Sequence, residues 1–156
     1  ISTRETAWCR ERILRAGISQ ISGGSRTSVG GYCEPEPEDE NSTQFDVSDK
    51  RTLDEVVNWL MKLGYIPSFC TACYREGRTG DRFMALCKNM QIQNCCHPNA
   101  LMTLNEYLED YAAAETKEIG KKLIMSEVPN IPNEKVRGIA LDYLKNIENG
   151  KRDFRF

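Results

Sequence analysis

The cysteines constrain this chain more than any other feature, because thiols that bind one metal dictate which parts of the chain must meet. Cys70 and Cys73 are separated by two residues in the stretch IPSFCTACYREGRTGDRF, and Cys95 and Cys96 follow, next to the only histidine, His97. Two thiolates on a Cys-x2-Cys turn can converge on a single metal ion or cluster. The spacing therefore indicates a site to which the turn supplies two ligands and residues 95–97 supply the others.

Three kinds of site are compatible with these residues. The first is a structural zinc site with Cys70, Cys73, one or both of Cys95 and Cys96, and His97 as an optional ligand. The second is a thioredoxin-like redox pair, which the loop-like residues around the Cys-x2-Cys turn disfavour. The third is an iron–sulfur cluster held by three thiolates, which leaves one iron without a cysteine. The pattern alone leaves zinc and iron–sulfur equally open.

Arginines and glycines follow the Cys-x2-Cys pair closely. Arg75, Arg78 and Arg82 are placed to offset the negative charge of bound thiolates, or to hold an anionic ligand beside them. Gly77 and Gly80 allow backbone N–H groups to approach sulfur atoms, which tunes an iron–sulfur centre. We therefore expect the three arginines and Cys95 to lie near the metal.

The composition of the chain indicates the cellular environment of such a site. Seven cysteines at uneven spacing in 156 residues make a poor disulfide framework, so we expect a reducing compartment and the cytoplasm as location. Cys87 is interpreted as a packed thiol, and Cys9 and Cys33 have no partner nearby in sequence. A net charge of −2 and the lack of a long apolar run predict neither a nucleic-acid nor a membrane partner.

The first 48 residues read as an α/β piece followed by a linker. ISTRE predicts a strand, the next residues a helix, and AGISQIS a second strand that runs into the glycine-rich loop GGSRTSVGGY. Two strands joined by one helix are most simply parallel neighbours in a sheet or barrel. Residues 34–49 combine seven acids and two prolines with no basic residue, which indicates a solvated linker.

Residues 49–156 are predicted to form a mainly helical domain. Capping boxes between Thr52 and Glu55 and between Thr103 and Glu106 predict two helix starts, and Asn133 predicts a third. A further helix is predicted over residues 81–90, and the residues after Gly150 are read as a tail.

The motif Cys70-x2-Cys73-x22-Cys96 and its flanks resemble a known family. The segments IPSFCTACYREGRTGDRFM, IQNCCHPNALMTL and EYLEDYA resemble the C-terminal domain of the HydG family, the radical-SAM tyrosine lyases that mature [FeFe]-hydrogenase. ISTRE and ISGGSRTSVGGY resemble the last turns of that family's barrel, and the related thiamine-pathway tyrosine lyase is similar only there. The implied fold is the last β-α-β of a radical-SAM (β/α), or TIM, barrel followed by a mainly α-helical cluster-binding domain.

The resemblance implies an activity for the full-length protein. It would cleave S-adenosylmethionine at one [4Fe-4S] cluster and use the radical to break a carbon–carbon bond of tyrosine, yielding p-cresol and a source of carbon monoxide and cyanide. Residues matching Cys70, Cys73 and Cys96 would hold an auxiliary [4Fe-4S] cluster with an additional iron, which collects these ligands and a cysteine for the H-cluster. Other hydrogenase maturation proteins would be its partners.

The sequence departs from this family in one respect. The radical-SAM motif Cys-x3-Cys-x2-Cys does not occur among these 156 residues, so this chain alone is expected not to start the radical reaction. Arg4, Ser25 and Arg26 follow the predicted strands, and the resemblance makes them candidates to contact the carboxylate of tyrosine or S-adenosylmethionine. The alternative function is a zinc-stabilised interaction module without catalysis.

Overall fold

The computed structural model describes residues 1–28, 30–32 and 45–156, and the chain divides into two compact units, Ile1–Val56 and Val57–Phe156. In these residues the chain is mainly helical. The helices are α1 (Ala7–Arg15), α2 (Leu53–Lys62), α3 (Ala72–Arg75), α4 (Asp81–Lys88), α5 (Ile92–Asp110), α6 (Ala114–Glu127) and α7 (Glu134–Glu148), with a 3-10 turn at Val128–Asn130. Among them, no helix combines the length and the apolar character needed to cross a membrane.

The two strands expected in the first unit are not observed in the described residues, so this part of the prediction is corrected. The terminal amine of Ile1 donates to the carbonyl of Gln20 at 2.6 Å, and the Ile1 carbonyl accepts from Ser22 N–H at 2.9 Å. This is the parallel pairing pattern, but it involves one residue only. The chain turns immediately afterwards, and the turn is closed by a hydrogen bond from Glu5 N–H to the carbonyl of Ser2 at 3.4 Å. The turn leads directly into α1 and ends the pairing.

A buried ion pair ties the segments of the first unit together. Arg10 of α1 is fully buried and donates to the Asp49 carboxylate and to the carbonyl of Ser22. Arg51 donates to the same carboxylate through Nε at 2.8 Å and Nη2 at 2.6 Å. Hydrogen bonds from Arg51 are the main cause that lowers the pKa of Asp49 to about 2. Most of the predicted acidic linker, and Cys33, lie outside the described residues.

Two of the three predicted helix starts are confirmed. At the start of α2, Thr52 N–H donates to Glu55 Oε2 at 2.7 Å, and Glu55 N–H donates to Thr52 Oγ1 at 3.3 Å, which is the reciprocal capping box. At the start of α7, Asn133 Oδ1 accepts from the N–H groups of residues 135 and 136 at 2.9 and 3.3 Å. The helix predicted over residues 81–90 is α4.

The capping box predicted at Thr103 is wrong, because Thr103 lies in the middle of α5. Its hydroxyl donates backward to the carbonyls of Asn99 and Ala100 at 3.0 and 3.3 Å rather than capping a start. Burial of Leu101, on the N-terminal side of Thr103, holds the chain helical there. A single helix therefore carries the residues from Cys95 to the core.

The core of the second unit forms where α5 packs against α6 and α7. Its fully or almost fully buried apolar side chains come from all three helices and the turn between α6 and α7: Leu101, Met102, Leu104, Leu108, Ile124, Ile131, Ala140 and Ile147. Burial of this set fixes α5, and with it the position of Cys95 and Cys96 at the other end of the helix.

Substitution of Gly120 by alanine is expected to destabilise the second unit by about 1–3 kcal/mol, because it overpacks the core. A Cβ on Gly120 of α6 would lie 2.7 Å from Leu108 Cδ2, and Leu108 is itself buried in α5. The measurement is the free energy of unfolding from urea denaturation. Gly138→Ala in α7 is the control, because a Cβ there meets nothing within 4 Å and alanine favours the helix by about 1 kcal/mol. Equal effects of the two substitutions would contradict the close approach of α6 to α5.

Candidate metal centre

Hydrogen bonds within the turn and to α5 hold the turn that carries Cys70 and Cys73. Cys73 lies in the one-turn helix α3, which replaces the loop expected after the pair. Ala72 N–H donates to Cys70 Sγ at 3.4 Å, and the preceding Phe69 N–H donates to Thr103 Oγ1 of α5 at 3.2 Å. An N–H donor to sulfur stabilises a thiolate and is one of the contacts that tune iron–sulfur centres. The turn is therefore anchored to α5 on one side of Cys70.

The second pair of thiols lies in the first turns of α5. Cys95 Sγ and Cys96 Sγ are 3.9 Å apart, and Cys95 Sγ donates to the carbonyl of Gln91 at 3.4 Å. His97 Nε2 lies 3.3 Å from the carbonyl and 3.6 Å from the carboxylate of Glu127, so the ring packs on the end of α6. His97, the optional ligand of a zinc site, therefore contacts Glu127 in this structure.

The structure brings all four predicted thiols into one region. The pKa of Cys96 is raised to about 12, first by burial, then by Cys95, and then by the negative charges of Cys73 and Cys70. Such an effect requires Cys70 and Cys73 to lie close enough to α5 for their charges to be felt. All four thiols are half-buried and outside any disulfide. Within the described ranges, no three Cys, His, Asp or Glu side chains converge on one point tightly enough to hold a single ion.

The donor set fits an iron–sulfur cluster. Thiolates are the ligands that such clusters require, and Cys70, Cys73 and Cys96 remain the predicted ligands. Burial and the neighbouring thiols both raise the pKa of Cys96, and a bound metal would favour its thiolate form.

The three predicted arginines all donate to groups of the protein. Arg75 binds the Asp153 carboxylate, with Nη2 to Oδ2 at 2.9 Å, and Arg78 Nη2 donates to the carbonyl of Phe156 at 2.7 Å. Arg82 Nη1 donates to the carbonyl of Gly77 at 3.2 Å. A cavity of about 530 Å³ opens beside them, lined by Glu76, Arg78, Arg82, Asp153, Arg155 and Phe156. Their role towards an anion or a cluster stays a prediction.

The candidate substrate residues lie in the first unit. The Arg4 guanidinium lies over the ring of Phe45, 4.1 Å from its centroid, and Arg26 N–H donates to Tyr32 Oη at 3.2 Å. Ser25 is half-buried in the loop before Arg26. Contact of Arg4, Ser25 and Arg26 with a substrate stays a prediction.

Residues at the C-terminal end belong to the site but were not predicted. Residues 152–156 were read as a tail, yet Asp153 binds Arg75, and Asn99 binds the backbone of Phe156. The one signal in the sequence is the alternation of charged and aromatic residues in RDFRF, which is typical of an extended segment with two different faces.

Comparisons with a protein-family model and with curated proteins each match less than half of this chain. Residues 1–66 match the family described as "Biotin and Thiamin Synthesis associated domain". Over 67 residues, or 43% of this chain, the sequence is 37% identical to the 2-iminoacetate synthase of Escherichia coli (strain K12). It is 36% identical to that of Salmonella typhimurium (strain LT2) over the same length. Each of these alignments spans 17% of the curated relative.

A solved structure covers the whole chain. The crystal structure of HydG, a maturase of the [FeFe]-hydrogenase, matches 100% of this chain with a TM-score of 0.90 and 49% sequence identity. The chain spans 33% of that structure. The resemblance seen in the cysteine motif is thus confirmed: over its whole length the chain is similar to a C-terminal part of a HydG-type protein.

Proposed function

We propose that this chain is the part of a radical-SAM tyrosine lyase for H-cluster assembly that binds the auxiliary iron–sulfur cluster. The observation that carries the proposal is the 49% identity to HydG over the whole chain, and the electrostatic effect of Cys70 and Cys73 on Cys96 supports it. The full-length protein would act as a carbon–carbon lyase on tyrosine. HydG is a maturase of the [FeFe]-hydrogenase, which supports the same role here.

In this proposal Cys70, Cys73 and Cys96 hold an auxiliary [4Fe-4S] cluster with an additional iron. Three thiolates would leave one iron of the cluster without a cysteine ligand, and the additional iron would collect carbon monoxide, cyanide and cysteine. The chain contributes the N–H of Ala72, which donates to Cys70 Sγ at 3.4 Å and orients it. Cys95, 3.9 Å from Cys96 Sγ, is the neighbour that can substitute for it.

The remaining parts of the proposal concern the full-length protein. It would bind tyrosine, S-adenosylmethionine and a second [4Fe-4S] cluster, and work with other hydrogenase maturation proteins in the cytoplasm, without nucleic-acid or membrane partners. Residues 1–48 would contribute the end of the barrel, with Arg4, Ser25 and Arg26 facing the substrates, and residues 49–156 the cluster domain. This chain lacks the Cys-x3-Cys-x2-Cys motif and would be inactive alone.

A zinc-stabilised interaction module is the second candidate, and one distance favours it. Two thiolates bound tetrahedrally to one zinc at about 2.3 Å lie about 3.8 Å apart. Cys95 Sγ and Cys96 Sγ are 3.9 Å apart. The two candidates differ in how many metal ions the chain binds and of which kind.

Anaerobic reconstitution with iron and sulfide separates the candidates. We expect a brown protein with about four irons and matching sulfide per chain, as a [4Fe-4S] cluster requires. The measurement is metal and sulfide analysis together with the EPR spectrum of the reduced protein. A colourless protein that retains one zinc per chain would overturn the cluster in favour of the interaction module, and a protein that retains no metal would contradict both.

A further inference from the structure

The C-terminal segment contacts the residues that follow Cys73 in the turn. We call residues 152–156 the strap. Phe154 and Phe156 pack against Tyr143 of α7, with ring centroids 4.5 and 5.6 Å apart. The residues between and before them, Asp153 and Arg155, contact the turn instead. The two phenylalanines contact α7 while Asp153 and Arg155 contact the turn, so the strap joins the helical core to the turn.

Ion pairs connect the strap to the residues that follow Cys73. The Asp153 carboxylate binds the Arg75 guanidinium through both oxygens, and Arg155 Nε donates to Glu76 Oε1 at 3.0 Å. Asp153 has φ = 70°, in the left-handed region that few residues other than glycine adopt. Its N–H donates to Glu106 Oε1 of α5 at 2.8 Å, which holds that conformation.

A buried amide attaches the end of the strap to α5. Asn99 is 2% exposed and lies three residues after Cys96, on the same side of the helix. Its Oδ1 accepts from Phe156 N–H at 2.9 Å, and its Nδ2 donates to the carbonyl of Phe156 at 3.4 Å. Both backbone groups of Phe156 are therefore bound by a single side chain.

The hydrogen bonds continue from Phe156 to Cys73. The Phe156 carbonyl also accepts from Arg78 Nη2 at 2.7 Å, and the backbone N–H of Arg78 donates to the carbonyl of Cys73 at 2.8 Å. A continuous path thus runs from the helix of Cys96 through Asn99, Phe156 and Arg78 to Cys73.

Phe69, before Cys70, is anchored to α5, but the residues that follow Cys73 have little support besides the strap. Within α3 only Ala72 is buried, and α4, which follows the turn, has no buried residue. Segments with few buried contacts open locally at low free energy. Cys73 would then move relative to Cys96, whereas a shared cluster requires the thiolates at fixed separations.

We propose that Asn99 is a positioning residue that fixes Cys73 relative to Cys96 through Phe156 and Arg78. That these thiols are cluster ligands rests on the proposed function, whereas the mechanical role of the strap does not. Residues that orient metal ligands from outside the ligand set typically change metal affinity 10- to 100-fold when substituted.

Hydrogen exchange in the metal-free protein tests the strap directly. Asn99→Ala is expected to speed exchange of the Arg78 amide, which reports its bond to Cys73, by about tenfold. Asn105→Ala is the matched control, since Asn105 is 1% exposed on the same helix but donates to the Leu144 carbonyl of α7 at 3.3 Å. Arg155→Ala, at a partly exposed position, is expected to speed the same exchange about threefold and serves if Asn99→Ala fails to fold.

Iron release from the reconstituted protein to a chelator tests the consequence. Asn99→Ala is expected to lose iron about tenfold faster than Asn105→Ala. Equal exchange at Arg78 in the Asn99 and Asn105 variants, or unchanged exchange in Arg155→Ala where Asn99→Ala does not fold, would overturn the proposal. Failure of the unsubstituted protein to bind iron would overturn the proposed function, while exchange at Arg78 would still decide the role of Asn99.

Discussion

Replacement of Cys96 by serine is expected to abolish binding of the auxiliary cluster, lowering iron from about four atoms per chain to less than one. Cys96 is the thiol of α5 that experiences the charges of both Cys70 and Cys73. Without it the site retains two thiolates on one turn, and the neighbouring Cys95 on the facing helix donates to the carbonyl of Gln91 instead. Iron and acid-labile sulfide per chain, measured after anaerobic reconstitution, give the result.

Cys95→Ser is the matched control for this substitution, because it makes the same chemical change one residue earlier on the same helix. Cys95 Sγ donates to the carbonyl of Gln91 at 3.4 Å, so a hydroxyl can take over that contact. We expect the iron content and the EPR spectrum to be those of the unsubstituted protein. The reverse pattern would identify Cys95 as the third ligand, and loss of the cluster in both variants would mean that the site uses both thiols.

The candidate ligands of the metal centre were the residues most easily identified from sequence. Cys70 and Cys73 are close in space because they share a turn. Cys95 and Cys96 come near them if that turn packs against the helix that carries these two residues. The helix starts at Thr52 and Asn133 were equally predictable, since a cap depends on residues three positions apart. Caps and turns of this kind depend on a few neighbouring residues and can therefore be predicted from short stretches of sequence.

The errors arise where distant contacts decide the local structure. The residues at Thr103 carry a capping pattern, but burial of Leu101 extends the helix through it. The strand expected at Ile1 ends after one residue pair because a turn follows. The contact between Asn99 and Phe156 joins residues 57 positions apart, and no local sequence pattern at either residue predicts it. Such contacts can be identified only when the three-dimensional structure is known.

Asp49→Asn is expected to destabilise the first unit by about 3–5 kcal/mol, because it leaves the buried Arg10 guanidinium without its carboxylate. Arg10 is 0% exposed and Asp49 4% exposed, so water cannot replace the lost partner. The amide preserves the shape of the carboxylate and removes only its charge. Hydrogen exchange of the α1 amides reports the free energy of opening this unit separately from the second one.

Glu11→Gln provides the matched control, since it makes the same change in an exposed ion pair of α1. Glu11 Oε1 lies 2.7 Å from Arg15 Nη2, and the Arg15 side chain is 67% exposed. Exposed pairs one helical turn apart contribute less than about 0.5 kcal/mol. Equal slowing or equal acceleration of exchange in the two variants would contradict a special role for the buried pair.

Acid provides an independent test of the same ion pair. The pKa of Asp49 is lowered from 3.8 to about 2, so the folded unit binds its proton less readily than the unfolded chain. The resulting stabilisation, about 2 kcal/mol, is fully present above about pH 4 and is lost as the pH falls towards 2. Other carboxylates titrate in the same range. Both the unsubstituted protein and Asp49→Asn contain them, so their effect cancels in the comparison. The difference in α1 opening free energy between the two proteins should therefore shrink by about 2 kcal/mol across this interval. A difference that is independent of pH would show that the Asp49 charge does not stabilise α1.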